Sequence, residues 1–227
     1  FDADGTLYDF EDAEKNAIKD SWEKYNIPLN DTTINCYRKH NHRCWKELEE
    51  GTMSYQVLPY KRFELAFGEL GLDIDPKTFG DEFLENLGKS SLLFPGALDI
   101  LNELKSRGYR IFIITNGLSI AQKVRFNREE TNSIYEKIFC SEDLGVNKPD
   151  KRFFDIVFEK IGLHQISDTE RQSKAIVIGD SLSSDIQGGI NAGLNTVWYN
   201  PKKNQSNPNI QPTHTIHNLV ELLEYFK

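Results

Sequence analysis

The segment Ile111-Phe112-Ile113-Ile114-Thr115-Asn116-Gly117 is a short apolar run that ends in polar residues and a glycine. An apolar run of this length, bounded by turn residues, predicts a buried strand. It follows a stretch whose apolar residues recur at helical spacing and which Gly108 closes. A helix that leads into a buried strand is the repeating unit of a parallel sheet, so this region indicates an α/β fold.

The same alternation of helices and strands continues toward the C-terminus. Its predicted elements are strands at 138–140, 175–178 and 196–199 and helices after Pro149, over 184–192 and over 218–226. We therefore predict an α/β fold with a doubly wound parallel sheet, similar to a Rossmann fold.

Residues 11–92 follow a different pattern, because their apolar residues fall at helical spacing and no strand-like run interrupts them. We predict that 11–92 form an inserted helical cap and that 1–10 together with 93–227 form a discontinuous α/β core. Since the insertion follows an Asp-rich turn, we expect the cap to stand over the site that this turn builds. We also expect residues upstream of Phe1 that complete a first strand.

The charge balance argues against several classes of partner. The chain has 27 basic and 35 acidic residues, a net charge of −8, and no long basic run, which disfavours a nucleic-acid polymer or an anionic membrane surface. Its apolar runs are far shorter than the roughly 20 residues of a membrane-spanning helix. Three cysteines cannot all pair, and the Asp-rich start does not resemble a secretory signal. We expect a cytoplasmic monomer or homodimer that binds a small molecule.

Four polar clusters lie where the predicted strands end. They are Asp2-Ala3-Asp4-Gly5-Thr6, Thr115-Asn116, Lys148-Pro149, and Gly179-Asp180-Ser181 with Asp185. Ligands bind at the carboxyl ends of the strands of open parallel sheets, so we expect these clusters to converge. The carboxylates of Asp2, Asp4, Asp180 and Asp185 would repel one another in one small site, and Mg²⁺ with its preference for oxygen ligands is the simplest relief.

These residue types also suit phosphoryl transfer. An Asp carboxylate can attack phosphorus to give an aspartyl-phosphate, and a second carboxylate can protonate the leaving oxygen and then activate water. The charge on the phosphoryl oxygens requires hydrogen-bond donors and a cation. Thr115, Asn116 and Lys148 would supply these groups.

Taken together, the four clusters resemble the motifs of the haloacid dehalogenase-like hydrolases, in the same order and over essentially the whole chain. The resemblance implies that Asp2 is the nucleophile and a metal ligand, and that Asp4 is the acid/base, with its backbone carbonyl on the metal. It implies that Thr6 supports this loop at the substrate site. Dehalogenases of the family lack the second Asp of the first motif, so the presence of Asp4 favours phosphoryl transfer.

For the other three motifs the resemblance implies that Thr115 binds the phosphoryl oxygens and that Lys148 steadies Asp2 and the phosphate. Asp180 and Asp185 would hold Mg²⁺ directly or through water. The segments 141–146, 185–193 and 198–201 further resemble the bacterial pyrimidine 5′-nucleotidase branch. This branch implies nucleoside 5′-monophosphates, pyrimidine ones first, as substrates.

Two other functions remain open at this stage. The same catalytic groups would serve a sugar-phosphate or phosphoglycolate phosphatase or a hexose-phosphate mutase. A catalytically silent regulatory or interaction protein could also have kept the fold. Within the cap, Trp45 and Arg62, together with Tyr8 in the preceding link, are candidates for contacts with a nucleotide base. Taken one at a time, the aromatic residues of the insertion are expected to be cap core rather than a base-stacking platform; they are Trp22, Trp45, Tyr55, Tyr60 and Phe63.

Residues 36–44 hold a second group of possible metal ligands. Cys36, His40 and Cys44 would share one helix face at i, i+4 and i+8, with His42 close by. Structural zinc more often uses a Cys-x-x-Cys pair with a distant second pair. We therefore expect these four residues to serve packing and the surface of the cap.

Overall fold

The computed structural model describes residues 1–128, 131–163 and 167–226. The chain divides into two compact units. The α/β unit consists of Phe1–Asp9, Leu93–Gly117 and Asn127–Lys227. The helical unit consists of Phe10–Leu92 and Leu118–Phe126.

The described residues form ten α-helices and five strands. The helices are α1 (Phe10–Lys24), α2 (Asp31–Glu49), α3 (Leu58–Leu70), α4 (Pro76–Ser90), α5 (Ala97–Ser106), α6 (Ser119–Phe126), α7 (Ser141–Leu144), α8 (Lys151–Lys160), α9 (Asp168–Lys174) and α10 (Gln187–Asn191). The strands are β1 (Phe112–Thr115), β2 (Lys137–Cys140), β3 (Ile176–Gly179), β4 (Asn195–Tyr199) and β5 (His214–Ile216). A π-helical segment spans Leu182–Ile186, and a 3-10 helix spans Leu219–Glu224.

The helical unit is held together by an aromatic core. The Trp22 and Tyr37 rings meet edge to face with their centroids 5.6 Å apart, and Tyr37 stacks on Phe63 at 5.4 Å. Phe79 closes the cluster at 4.8 Å from Phe63. Aromatic pairs at these separations contribute beyond the area they bury. Trp22, Phe63 and Tyr55 are all buried in this core, as the sequence predicts.

Helix α6 packs with the helical unit, although the sequence-based division placed it in the α/β part of the chain. Leu118 and Ala121 are buried in the same core as the aromatic cluster. A Cβ on Gly88 of α4 would lie 2.6 Å from Val124 Cβ, so the two helices pack at very short distance. The apolar face of α6 therefore finds its partner in residues far earlier in the chain.

The strands of the α/β unit are parallel, which confirms the predicted fold class. Strand β1 pairs with β2, and β4 lies between β3 and β5. Residues 1 and 2 lie between β1 and β3: Ile114 N donates to Phe1 O over 2.8 Å, and Asp2 N donates to Ile178 O over 2.8 Å. The carboxyl ends of β1 and β3 thus lie on either side of the turn that follows Asp2.

After β3, the structure differs from the sequence-based prediction in three local features. The strand β5 was not predicted, although it pairs with Val197–Tyr199 of β4. The predicted helix over 184–192 is a π-helical segment followed by the short helix α10. The predicted last helix is the 3-10 helix, which begins after an Asn218 cap that accepts from Val220 N.

Candidate active site

Asp2 is a buried residue whose two carboxylate oxygens both accept hydrogen bonds. Lys148 Nζ donates to Oδ1 over 2.8 Å, and Thr6 Oγ1 donates to Oδ2 over 3.1 Å. Thr6 is brought back toward Asp2 by a tight turn in which Leu7 N and Tyr8 N both donate to Ala3 O. The turn thus fixes the orientation of the Asp2 carboxylate from two sides.

Gly5 allows this turn to approach Asp180. Its φ of +85° lies in the left-handed region, and a Cβ at this position would lie 2.4 Å from Asp180 Oδ2. Both the backbone conformation and the space therefore require glycine here. Thr6 Oγ1 is also 3.4 Å from Asp180 Oδ1, so the turn contacts two carboxylates.

Asp180 and Asp185 are placed by the chain that leaves β3. The backbone carbonyl of Asp180 accepts from Trp198 Nε1 over 2.8 Å, and Asp185 Oδ2 accepts from Ser181 N over 3.1 Å. A Cβ on Gly179 would lie 2.3 Å from Asp185 Cγ, so the carboxylate rests directly on the end of the strand. The π-helical segment turns Asp185 back onto β3.

Asp2, Asp180 and Asp185 form what we call the carboxylate group. One oxygen from each residue lies within 4.8 Å of the other two. Asp2 and Asp185 are buried and Asp180 is half-buried. Clustered carboxylate oxygens are the donors that Mg²⁺ prefers, so this donor set fits a magnesium ion.

Lys148 is the cation inside the carboxylate group. Its buried ammonium donates to Asp185 Oδ1 over 2.6 Å and to Ile114 O over 2.8 Å, in addition to Asp2. These three acceptors match the three protons of an ammonium group. One lysine therefore orients two carboxylates and is itself anchored on β1.

The protonation equilibria reflect burial and crowding of like charges. Burial, followed by the charge of Asp185, raises the pKa of Asp2 to about 8. The same two causes raise the pKa of Asp180 to about 7. Burial alone would lower the pKa of Lys148, but the charges of Asp185 and Asp2 outweigh it and raise that pKa. The three carboxylates are only partly compensated by one lysine, and a divalent cation would complete the compensation.

Thr115 and Asn116 follow β1 at the same edge of the sheet. Thr115 is buried, and its Oγ1 accepts from Gly117 N over 2.9 Å. The hydroxyl proton of Thr115 is not used in that bond and is available to an acceptor. The backbone of the preceding residue, Ile114, carries the carbonyl that holds Lys148.

The Asn116 amide is a hub that ties three segments together. Its Nδ2 donates to Lys148 O over 2.9 Å and lies 3.3 Å from Ser184 Oγ. Its Oδ1 accepts from Lys148 N over 3.0 Å and from Ser141 Oγ over 2.5 Å. The structure thus places the side chain on the backbone of Lys148, with Ser141 and Ser184 as supports that the sequence did not single out.

The remaining residues that the sequence analysis proposed for the site lie outside the carboxylate group. Asp4 is half-buried on the same turn and pairs through its backbone with Tyr8, but its carboxylate is not part of the carboxylate group. Tyr8 is fully buried in the α/β unit. Arg62 is buried in the helical unit, where Nη1 donates to Asn41 Oδ1 over 2.9 Å and the guanidinium lies over the Phe63 ring. Trp45 is partly buried against the aromatic core.

Among the described residues, none of the helices combines the length and the apolar character that crossing a bilayer requires.

Residues 1–193 match the model of a hydrolase family described as haloacid dehalogenase-like hydrolase.

Three proteins of known name are similar to nearly the whole chain. The pyrimidine 5′-nucleotidase PynA of Streptococcus pneumoniae is 34% identical over 99% of this chain and 92% of its own length. The pyrimidine 5′-nucleotidase YjjG of Escherichia coli is 32% identical over 98% of this chain and 94% of its own length. The crystal structure of the HAD-hydrolase YfnB of Bacillus subtilis, bound to magnesium, is 35% identical, with a TM-score of 0.85 over 100% of this chain and 96% of that one.

Proposed function

The chain belongs to the haloacid dehalogenase-like hydrolase family, and from that membership and the site geometry we propose that it is a Mg²⁺-dependent phosphomonoesterase with Asp2 as nucleophile. The observation that carries the proposal is the double restraint on Asp2, whose two oxygens are held by Lys148 and Thr6 inside the carboxylate group. A nucleophile held in one orientation loses less entropy on reaching the transition state.

We propose that Asp2, Asp180 and Asp185 hold the metal, together with the backbone carbonyl of Asp4. When bound, Mg²⁺ supplies positive charge that offsets the carboxylates and the phosphoryl oxygens. The similar protein YfnB was solved with magnesium, and the donor set of this chain is of the kind magnesium takes.

The proposed reaction has two steps. In the first, an Asp2 oxygen forms a bond to phosphorus while the bond from phosphorus to the ester oxygen breaks, and Asp4 gives its proton to the leaving oxygen. In the second, Asp4 takes a proton from water, the water oxygen bonds to phosphorus, and the bond to Asp2 breaks. Phosphate leaves, and Asp2 and Asp4 return to their first states.

Lys148 and Thr115 are proposed to stabilise the charge on the phosphoryl group. Lys148 is already within hydrogen-bond distance of the attacking carboxylate, so its charge acts on the bond that forms. Thr115 has a hydroxyl proton to donate at the adjacent strand end. Asn116 is proposed to act through Lys148, whose backbone it holds on both sides.

The proposed substrates are nucleoside 5′-monophosphates, with pyrimidine ones favoured. The support is that PynA and YjjG, both pyrimidine 5′-nucleotidases by name, are similar to this chain over nearly its full length. Residues 11–92 are proposed to be the cap domain of the enzyme. We further propose that the protein acts in the cytoplasm on a small phosphorylated metabolite.

The test is phosphate release with and without Mg²⁺ across a panel of nucleoside monophosphates and sugar phosphates. We expect turnover that chelation removes and that prefers pyrimidine nucleotides. Release from sugar phosphates alone would retain the chemistry and overturn the substrate class. Binding of Mg²⁺ and phosphate without phosphate release from any substrate would favour the alternative of a catalytically silent regulatory or interaction protein.

Asp2→Asn tests the nucleophile. Asn keeps an oxygen that accepts from Lys148 or Thr6, so the variant should fold while turnover falls by a factor on the order of 10⁴ or more. With phosphate-labelled substrate and an acid quench, label should stay on the native protein, be released by hydroxylamine, and be absent from Asp2→Asn. Label that persists in the variant would remove Asp2 from the proposed role.

A further inference from the structure

A second group of metal-ligating side chains lies in the helical unit. One ligand atom each from Cys36, His40 and Glu69 lies within 4.8 Å of the other two. Cys36 and His40 are one turn apart on α2, and Glu69 is contributed by the last turn of α3. Cys44, which shares the helix spacing of Cys36 and His40, is instead fully buried in the aromatic core.

We propose that Cys36, His40 and Glu69 bind a Zn²⁺ ion, with water as the fourth ligand. A thiolate, an imidazole and a carboxylate are all accepted zinc ligands, and three protein ligands with one open position form a known class of site. A sulfur ligand distinguishes this group from the oxygen-only carboxylate group and favours zinc over magnesium. The ion would join α2 to α3.

The present contacts are close to what such a site requires. His40 Nε2 lies 2.8 Å from Glu69 Oε2, and Cys36 Sγ lies 3.7 Å from Ala66 O on α3. Donor atoms around zinc are about 2.0–2.3 Å from the ion, so small side-chain rotations would close the group. Binding of the ion through Nε2 would replace its contact with Glu69 and move the imidazole proton to Nδ1, which has no hydrogen-bond partner among the described residues.

Glu69 and Cys36 differ in their protonation state before a metal binds. Hydrogen bonds from Lys39 and His40 lower the pKa of Glu69 to about 2, which keeps this carboxylate ionised. Burial, and then Glu69, raise the pKa of Cys36, so the free thiol is protonated. Zinc binding would form the Zn–S bond and release the thiol proton to solvent.

Lys39 is the competitor of the metal. Its ammonium lies 2.5 Å from Glu69 Oε2, and 58% of its side chain is exposed. An exposed ion pair of this kind is weak, so a divalent ion would displace it. Removing Lys39 should therefore tighten metal binding, which a merely structural cluster would not show.

The test uses Co²⁺, whose bond to a thiolate gives a charge-transfer absorption, on the full chain with reduced cysteines in saturating Mg²⁺. We expect the band in the native protein and its loss when Zn²⁺ is added. Cys36→Ser should abolish it, while the matched control Cys44→Ser keeps it. Of the histidines on α2, His40→Gln should weaken Co²⁺ binding and the exposed His42→Gln should not.

Glu69→Gln and Lys39→Ala keep the test decisive if Cys36→Ser does not fold, because both positions are exposed. Glu69→Gln should weaken Co²⁺ binding by more than the roughly 10–100-fold caused by losing an outer-shell partner. Lys39→Ala should strengthen it. The proposal is overturned if the native protein shows no thiolate band, if the band survives in Cys36→Ser, or if Glu69→Gln binds Co²⁺ as the native protein does.

Discussion

The ammonium group of Lys148 lies 2.8 Å from Asp2 Oδ1, a contact between residues 146 positions apart in the chain. The same nitrogen lies 2.6 Å from Asp185 Oδ1. Only 1% of the Lys148 side chain is exposed. Both of these ion pairs are therefore buried.

Lys148→Met should destabilise the protein as well as inactivate it. Removing one partner of a buried ion pair leaves uncompensated charge and costs about 3–5 kcal/mol in the free energy of unfolding. Denaturant unfolding of the variant measures this loss. Lys151→Met is the matched control, because its pair with Asp155 is exposed and should contribute less than about 1 kcal/mol. Equal losses in the two variants would contradict the prediction.

A comparison of Gly5→Ala with Gly51→Ala should distinguish the effect of backbone strain from that of damage to the carboxylate group. An alanine at φ +85° costs about 1–2 kcal/mol, and its Cβ would also collide with Asp180. Gly51→Ala carries similar strain at φ +73° but meets no atom within 4 Å. Both variants should lose stability in thermal unfolding. Only Gly5→Ala should lose Mg²⁺-dependent activity, and a loss in both would indicate a general folding defect.

Asp180→Asn should raise the melting temperature in the absence of metal. The substitution removes one half-buried like charge from the carboxylate group, and we expect a gain of about 2–4 °C, equivalent to about 1 kcal/mol for a protein of this size. The same variant should show a smaller melting-temperature rise when Mg²⁺ is added. Asp20→Asn, on the exposed face of α1, should change neither value. A melting temperature for Asp180→Asn below that of the native protein in chelator would refute the argument.

Asn116→Ala should lower kcat more than it raises KM. The side chain holds the backbone N–H and C=O of Lys148, so its loss misplaces the charge that acts on the attacking carboxylate. We expect a decrease in kcat of about 10²-fold, the size of effect that small misplacements of reacting groups produce. Steady-state kinetics distinguishes this role from direct substrate binding, in which the KM would rise instead.

Sequence patterns predicted those parts of the fold that depend on neighbouring residues. The apolar run 111–114 and the polar residues after it predict a strand and its end from local sequence alone. The strand β1 lies within one residue of the predicted position. The convergence of Asp2, Lys148 and Asp185 followed from one rule about parallel sheets. These are local patterns combined with a single topological principle.

The features that were missed depend on distant contacts. The strand β5 has only three residues and follows an Asn- and Pro-rich stretch, so it has little pattern of its own and depends on pairing with β4. Ser141 and Ser184 lie far from Asn116 in the chain, and only the tertiary structure brings them to it. Helix spacing alone could not choose between Cys44 and a residue of α3 as the neighbour of Cys36.

The path of the chain restricts how this protein can be divided or recombined. Because α6 packs with the helical unit, the backbone passes between the two units at four places, near residues 10, 93, 118 and 127. Deleting 10–92 alone would leave Leu118 and Ala121 without the core that buries them. A chimera that takes its helical unit from a relative would therefore have to exchange two separate segments together, and an insertion swapped as a single piece would bring a mismatched surface to α6.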